Sequence, residues 1–455
     1  MTSYRRLNAL LFGIDTALVV VAFNLVYRLR GLDSGQLLLA ELLLPLGMLA
    51  FMLHLIDGYS LHTDMLSADY MGQHLLALLL ATIGTILLTF VFFPGGYLLQ
   101  ASRGVVVLSF AALVPLTLAT RRFLYQRYAI KRGQRSLVFV GDRESCIAFR
   151  EDCMRSGNSQ PIVYAVVTEQ STDPFPGSEE KPRVFREVIT NIERGALSAE
   201  AIVLRESGRE LLADVSERLV NLYFSGVPTY TLELFHQIYW RKIPLYRLNQ
   251  TWLFQEGFQI AREPVFERVK RISDIGFSIS GLILSSPLLL AAALAVRFGD
   301  GGPVFYRQTR IGKDRRPFTA FKLRTMRASP EGDPYTQPGD SRITPVGRVL
   351  RKIRLDEFPQ LWNVLRGEMS LIGPRAEWDR LVARYQAEIP CYHFRHLVRP
   401  GITGWAQVNY PYGTGIDDTV QKLEYDLYYI RHFSFRLDAS IVIKTIHVIL
   451  FGKGR

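Results

Sequence analysis

The sequence predicts a membrane protein that combines α and α/β architecture. A four-helix transmembrane bundle is expected at residues 1–130, a small α/β domain at 131–262, and a C-terminal domain at 263–455 entered through a re-entrant helix at 272–298. Three observations carry this. Of the 455 residues, 48% are hydrophobic, yet the net charge is +12. The apolar residues gather in blocks near the ~20 residues that cross a bilayer. Behind those blocks, short β-type runs alternate with charged helical ones. Together these point to a membrane protein with basic cytoplasmic parts, or to one that meets anionic lipid or nucleotide phosphates. The membrane-length clustering argues against nucleic acid as the partner of the charge. Cys146, Cys153 and Cys391 show no metal-ligand spacing and make no disulfide framework, so they read as reduced thiols in a cytosolic compartment.

Four apolar blocks come first, at about 7–27, 37–56, 75–93 and 104–120. Asp15 interrupts the first and is expected to pair inside the bundle. The first block is long and followed by others, with no small-residue cleavage site, so it reads as a helix rather than a removed signal. Arg5 and Arg6 precede it, and Arg121, Arg122, Arg127, Lys131 and Arg132 follow the fourth. That bias places both ends of the bundle in the cytoplasm. Arg28, Arg30 and Arg103 in the outer loops, and a loop at 57–70 without Lys or Arg, fit less well; the terminal clusters decide.

In the next segment, Ser136-Leu137-Val138-Phe139-Val140 reads as a buried strand ending in Gly141-Asp142. Residues 200–204 and 226–230 read as two more, with helical runs between. Strands alternating with helices argue a Rossmann-like parallel domain. Gly141 stands without G-x-G-x-x-G, so a structural or regulatory role is expected over nucleotide binding. Residues 171–181 read as an exposed loop.

The third region opens on Arg268, Lys270 and Arg271, followed by the apolar stretch 272–298. Ser285-Ser286-Pro287 interrupts its middle. Proline removes a helical hydrogen bond and crowds the preceding turn, so a kink is expected there. A serine hydroxyl can satisfy the freed carbonyl. Beyond it, Arg307, Arg310, Lys313, Arg315, Arg316, Lys322, Arg324 and Arg327 form a dense basic segment. The charge rule places both flanks in the cytoplasm, so the stretch enters the membrane, turns at Pro287 and leaves by the same face. A spanning helix would put the basic segment outside the cell.

Two adjacent carboxylates, Asp356 and Glu357, follow the basic run Arg348, Arg351, Lys352 and Arg354. Thr344-Pro345 predicts a helix start, with an N-cap threonine and proline at N1, running to about Ile353. A second helix is expected from Asp356, with Pro359 in its first turn, Leu361, Trp362 and Leu365 as an apolar face, and Gly367 as its stop. That places the acids at a helix N-terminus, which favours carboxylates and phosphates alike. Residues 439–451 read as an amphipathic helix suited to the membrane surface or the core. The turn at Gly299-Asp300-Gly301-Gly302-Pro303 needs no phosphate role, and His393 with His396 lacks further ligands. Asp340 and Arg342 are expected to pair.

At this point the residues resemble a known family. Phe305-Tyr306-Arg307-Gln308, Phe321-Lys322-Leu323-Arg324-Thr325-Met326, Leu355-Asp356-Glu357-Phe358-Pro359-Gln360-Leu361-Trp362-Asn363-Val364, Ser370-Leu371-Ile372-Gly373-Pro374-Arg375 and Arg399-Pro400-Gly401-Ile402-Thr403-Gly404-Trp405-Ala406-Gln407-Val408-Asn409 stand in the order of the bacterial sugar transferase family. Its members are monotopic polyprenyl-phosphate glycosyl-1-phosphate transferases. The bundle and α/β domain resemble the family's large branch. Asn409-Tyr410-Pro411-Tyr412-Gly413, Tyr425-Asp426-Leu427-Tyr428-Tyr429-Ile430 and the tail at 450–455 resemble its exopolysaccharide, exosortase-associated members.

The resemblance implies transfer of a sugar 1-phosphate from a UDP-sugar to undecaprenyl phosphate, with release of UMP, at the cytoplasmic face of a bacterial inner membrane. It implies Asp356 as nucleophile and Glu357 beside it in acid–base or orienting work, with Mg²⁺ bound near Asp356. It implies Arg375 as a phosphate-binding arginine, with Arg351, Lys322, Arg324 and Arg399 as further phosphate contacts. Ser286 and Pro287 match the re-entrant break, and Lys270 and Arg271 an interfacial anchor. Two positions depart from the family pattern: Ala376 stands where proline usually follows Arg375, and Arg354 where a small hydroxylic residue is common. Two rivals are a glycosyltransferase that releases UDP and a non-catalytic assembly scaffold. The sugar is not legible, with glucose or galactose expected, and a homodimer is compatible with the sequence although no motif specifies one.

Overall fold

Apolar runs without interior breakers fold into long helices at the N-terminus. In the computed structural model these are α1 (Thr2–Leu29), then α2 (Leu43–Leu55) behind a 3-10 turn, α3 (Ala68–Phe92) and α4 (Arg103–Gly133). The structure describes residues 2–32, 37–60, 63–92, 99, 102–156, 160–166, 181–205, 213–245, 264–327, 340–410, 413 and 415–451. Residues 171–180 of the expected loop, Pro411, Tyr412 and the tail residues 452–455 lie outside them. Two units form, Met1–Arg241 and Lys242–Arg455.

In the first unit, α1, α3 and α4 contain segments long and apolar enough to cross a membrane. The second block departs from expectation, because α2 has only 13 residues. Pro45 lies in its first turn, where the missing N–H goes unused, and this sets the helix start well after residue 37. Asp57, with a left-handed φ of 59°, reverses the chain just beyond its end.

Asp15 is paired within the bundle. Arg121 donates to both of its oxygens, at 2.9 and 2.6 Å, and the Tyr59 hydroxyl donates to it at 2.7 Å. Arg121 also donates to the carbonyls of Gly58 and Thr117. Arg121, expected among the charges flanking the fourth block, is therefore fully internal. A charge inside a membrane bundle is costly unless paired, and here each partner neutralises the other.

The same unit carries a five-stranded, all-parallel sheet: β1 (Ser136–Val140), β2 (Ile162–Val166), β3 (Arg183–Val184), β4 (Ala199–Leu204) and β5 (Thr229–Thr231), in the order β3-β2-β1-β4-β5. Helices α5 (Arg143–Arg155), α6 (Phe185–Glu193), α7 (Ala213–Phe224) and α8 (Leu232–Phe235) connect or follow the strands. Val138 and Val140 pack in one core with Phe185, Val188 and Ile189; Leu137 and Phe139 pack in another with Phe149 and Phe235. A strand buried on both faces reads as a continuous apolar run, which is why β1 and β4 were legible.

The second unit opens with α9 (Pro264–Asp300), 37 residues long. Its apolar side chains are widely exposed, as Ile272, Phe277, Leu284, Leu288 and Phe298 illustrate. The hydrogen-bonded helix continues through Pro287 rather than breaking. Proline leaves the Ile283 carbonyl without its i+4 donor, and the Ser286 hydroxyl donates to that oxygen at 2.8 Å. Next come the hairpin β6 (Phe305–Ile311) and β7 (Pro317–Leu323), then α10 (Pro345–Lys352), α11 (Gln360–Arg366), β8 (Ser370–Ile372), α12 (Asp379–Glu388), β9 (Gly401–Thr403), α13 (Trp405–Asn409), α14 (Ile416–Arg431) and α15 (Phe435–Phe451). Trp405, Leu423, Leu427, Tyr429, Ile430 and Ile441 form the centre of its core, which also takes in Ile243 and Leu245.

Candidate active site

The acid pair is built by a short run of backbone decisions. Thr344 caps α10 by accepting the Gly347 N–H at 2.9 Å, with Pro345 behind it. α10 ends at Lys352, and Arg354 adopts a left-handed φ of 58°. Such a backbone costs a non-glycine residue about 1–2 kcal/mol, and it turns the chain sharply before the acids. Leu355–Glu357 then form a single 3-10 turn, closed by the Phe358 N–H donating to Leu355 O at 3.3 Å. α11 starts only at Gln360. The acids therefore precede α11 rather than opening it, a correction to the expected helix N-terminus. Pro359 has no N–H to offer the Leu355 carbonyl, so α-helical bonding cannot extend back across it.

α11 is locked onto the hairpin by Asn363, which is fully buried. Its Nδ2 donates to Thr319 O and Glu368 Oε2, both at 2.7 Å, and its Oδ1 accepts the Phe321 N–H at 3.2 Å. This sets β7 beside the acid turn, and Lys322 Nζ meets Glu357 Oε1 at 2.6 Å. Trp362, expected on the apolar face, is instead 53% exposed, while Leu361 and Val364 face inward.

Arg375 arrives from a second direction. β8 and β9 pair in parallel, and Gly373, Gly401 and Gly404 stack backbone on backbone. A Cβ on Gly401 would lie 2.1 Å from Gly373 N, and one on Gly404 2.1 Å from Gly373 O, so no side chain fits at either position. The close approach swings Arg375 to the acid turn, where its Nη2 lies 3.4 Å from Glu357 Oε1.

The two carboxyls thus differ in environment. Burial pushes Glu357 up, but Lys322 and Arg375 outweigh it and hold the group well below the usual carboxylate range. Asp356 is only 8% exposed; burial and the adjacent Glu357 push its carboxyl up, against Lys322, Arg351 and Arg354. Burial also pushes the Lys322 ammonium down to about 8, with Glu357 opposing. Neighbouring carboxyls driven apart in this way are suited to different roles: Glu357 stays a fixed anion, and Asp356 has the higher proton affinity.

A profile of the bacterial sugar transferase family matches residues 265–452. Over 405 residues, 87% of this chain and 90% of the relative, the sequence is 32% identical to a UDP-N-acetylgalactosamine-undecaprenyl-phosphate N-acetylgalactosaminephosphotransferase of Aeromonas hydrophila. The chain belongs to the bacterial sugar transferase family. A UDP-glucose:undecaprenyl-phosphate glucose-1-phosphate transferase of Escherichia coli K12 is 43% identical over 184 residues, which cover 39% of each chain. One of the same name from Caulobacter vibrioides is 42% identical over 185 residues, 40% of this chain and 69% of the relative.

In this sugar transferase the other expected site residues are placed as follows. Arg351 lies near enough to Asp356 to favour its ionised form. The Arg324 guanidinium fills the space a side chain on Gly302 would need, at the turn leaving α9. Arg399 is not brought to the acids. It donates to Gly367 O at 3.1 Å and lies 3.4 Å from Glu267, at the far end of α11. Lys270 is buried in an ion pair with Asp438 at 2.5 Å, and Arg271 donates to the carbonyls of Val364 and Leu365. This pair ties α9 to the transferase core. Asp340 and Arg342 do pair, at 2.6 Å.

The residues present fit a divalent cation held in part by substrate. Among the described residues no three His, Cys, Asp or Glu side chains cluster to hold a metal, and Glu357 is already engaged by two cations. Magnesium commonly takes one or two carboxylates and completes its shell with substrate phosphates and water, and Asp356 suits that donor role.

One positioning element escaped the sequence reading. Arg395 donates to Arg375 O and to Asp426 Oδ2, each at 2.9 Å, and also to the Tyr392 hydroxyl at 2.6 Å. The Tyr429 hydroxyl, from the same Tyr425–Ile430 motif, shares its one proton between Asp438 Oδ1 at 2.8 Å and Ile372 O at 3.2 Å. The turn carrying Arg375 is thus held on both sides. The motif flagged α14, but only packing shows what Asp426 and Tyr429 reach.

Proposed function

We infer that this chain transfers a sugar 1-phosphate from a UDP-sugar to undecaprenyl phosphate and releases UMP, at the first membrane step of exopolysaccharide assembly. The observation that carries the reading is the split acid pair: Glu357 neutralised by Lys322 and Arg375, and Asp356 beside it with a raised proton affinity. Asp356 attacks the sugar-bearing phosphate, the bond from that phosphorus to the UMP oxygen breaks, and UMP leaves. The phosphosugar held on Asp356 then passes to the lipid phosphate oxygen, which restores the carboxylate. A magnesium ion bound with the diphosphate would neutralise its charge. The names of the relatives support the substrate classes. Membranes supplied with undecaprenyl phosphate and a panel of UDP-sugars should release UMP with one of them. Release of UDP instead would assign the chain to the rival glycosyltransferase class.

The pH profile follows from the site. A protonated Asp356 cannot attack, and its carboxyl is raised, so kcat/KM should fall on the acid side at a pH higher than for an ordinary aspartate. Lys322 loses its proton near 8, so a second fall is expected there on the alkaline side. Steady-state UMP release from pH 4 to 10 checks both limbs. A rate unchanged between about pH 7 and 9.5 would show that Lys322 keeps its proton across that range.

The reading places the α9 site at the cytoplasmic face of an inner membrane, with α9 re-entrant. Its support is that both halves of α9 pack on the same unit. Lys270 and Asp274 reach Asp438 and the Leu371 N–H, while Ala292 and Val296 pack with Leu323, Leu350 and Leu355. In a straight helix Lys270 and Val296 would stand about 39 Å apart along the axis, farther than the hydrocarbon thickness. In a variant lacking the native cysteines, Arg268→Cys and Arg307→Cys should both label from the cytoplasm. Labelling from opposite faces would sink re-entry. The strand order of the sheet supports the Rossmann-like reading, with Asp142 used to cap α5 rather than to leave its N-terminus open for phosphate.

A further inference from the structure

The hairpin register brings a further cation to the acid pair. β6 and β7 set Tyr306 opposite Lys322, Gln308 opposite Ala320 and Arg310 opposite Phe318. Side chains alternate along a strand, so Tyr306, Gln308, Arg310 and Lys322 share one face. Lys322 on that face is the residue that grips Glu357.

Arg310 is held in place without meeting a carboxylate. Its Nε and Nη2 donate to Gln308 Oε1 at 3.2 and 2.9 Å, and its Nη1 donates to the carbonyl of Ala376, the residue after Arg375. Among the described residues its partners are thus neutral oxygens. A guanidinium carries five N–H donors, and these contacts use one on each nitrogen. One N–H on each Nη is left for a phosphate oxygen.

Charge points the same way. Burial pushes the Arg310 guanidinium down, and Arg375 adds to it, with Glu377 and Glu357 opposing. Lys322 is lowered by Arg375 and Arg310 in turn. Three cations, Lys322, Arg375 and Arg310, share this pocket, and Glu357 pairs with the first two. An entering dianion relieves that crowding, and a monoanion relieves less of it.

We propose that Arg310 is a diphosphate-binding residue, gripping a phosphate oxygen of the nucleotide sugar beside Arg375. The assignment rests on the transfer reading above, which brings a nucleotide diphosphate to this face. Gln308 is its positioning partner, and the link to Ala376 sets the spacing between the two guanidinium groups.

The test reads binding rather than turnover. UDP has no sugar to transfer, so its affinity for the full-length protein in lipid nanodiscs is independent of whether Asp356 is the nucleophile. Titration calorimetry should show Arg310→Gln binding UDP about ten- to a hundredfold more weakly than the parent. Arg310→Lys, which keeps the charge but loses the fork, should fall between. UDP affinity within twofold of the parent in a folded Arg310→Gln protein overturns the proposal. So does a raised KM confined to undecaprenyl phosphate, which would assign Arg310 to the lipid phosphate instead. If Arg310→Gln does not fold, Arg310→Lys decides, and parental affinity there overturns the fork contact.

Discussion

Asp356→Asn is expected to lower UMP release by at least ~10³-fold while the protein stays folded, since a residue acting as covalent nucleophile has no substitute in the site. The amide keeps the shape of the carboxyl and removes its charge. Asp356 is buried and raised in proton affinity, so its ionised form contributes little to holding the fold, and the melting temperature should shift by no more than a few degrees. A labelled phosphosugar should be trapped on the parent protein and absent from the variant. Substantial UMP release by Asp356→Asn would point to another nucleophile, whereas polysaccharide assembly left intact in a variant without UMP release would favour the scaffold reading. Glu357→Gln tests the partner role. Lys322 and Arg375 would lose their shared anion, so activity should fall while the phosphosugar still forms on Asp356.

The second large effect concerns stability. Arg395 and Asp426 are 6% and 1% exposed and bond at 2.9 Å. Asp426→Ala leaves the guanidinium buried beside a cavity, and breaking such a pair costs about 3–5 kcal/mol, or roughly 6–20 °C in Tm for a unit of this size. Replacing both partners, Arg395→Met with Asp426→Leu, should restore much of the stability, because both buried charges are gone. Activity should not return with it, since the Arg375 carbonyl still lacks the donor that holds its turn. Thermal unfolding and UMP release measured on the parent and both variants separate the two effects. Equal recovery of both would show that Arg395 acts on the fold alone.

Legibility followed chemical locality. β1 and β4 were readable as apolar runs because both faces of each strand are buried, whereas the two-residue edge strand β3 offered no pattern. The Thr344 cap and the Gly367 stop were readable because each is a local backbone requirement, and both stand where expected. The second helix starts later than the sequence suggests, because Pro359 is tolerated in a first turn yet has no N–H for the carbonyl four residues before it. The second apolar block was overextended for a related reason, Pro45 marking a start that hydrophobicity alone does not show.

Sequence alone determined the chemical alphabet of the site: adjacent acids, a basic setting, glycine-rich turns and a proline-interrupted apolar stretch. These are properties of neighbouring residues, and neighbours in sequence constrain each other through the backbone. Only the tertiary structure decided which cations reach the acids. Lys322 and Arg375 do, across 35 and 18 residues, while Arg399 and Lys270 are used elsewhere. The physical reason is that every arginine and lysine carries the same charge in the sequence. What distinguishes them is distance and burial, which the packing of α11 on β7 and the crossing of Gly373 with Gly401 bring about.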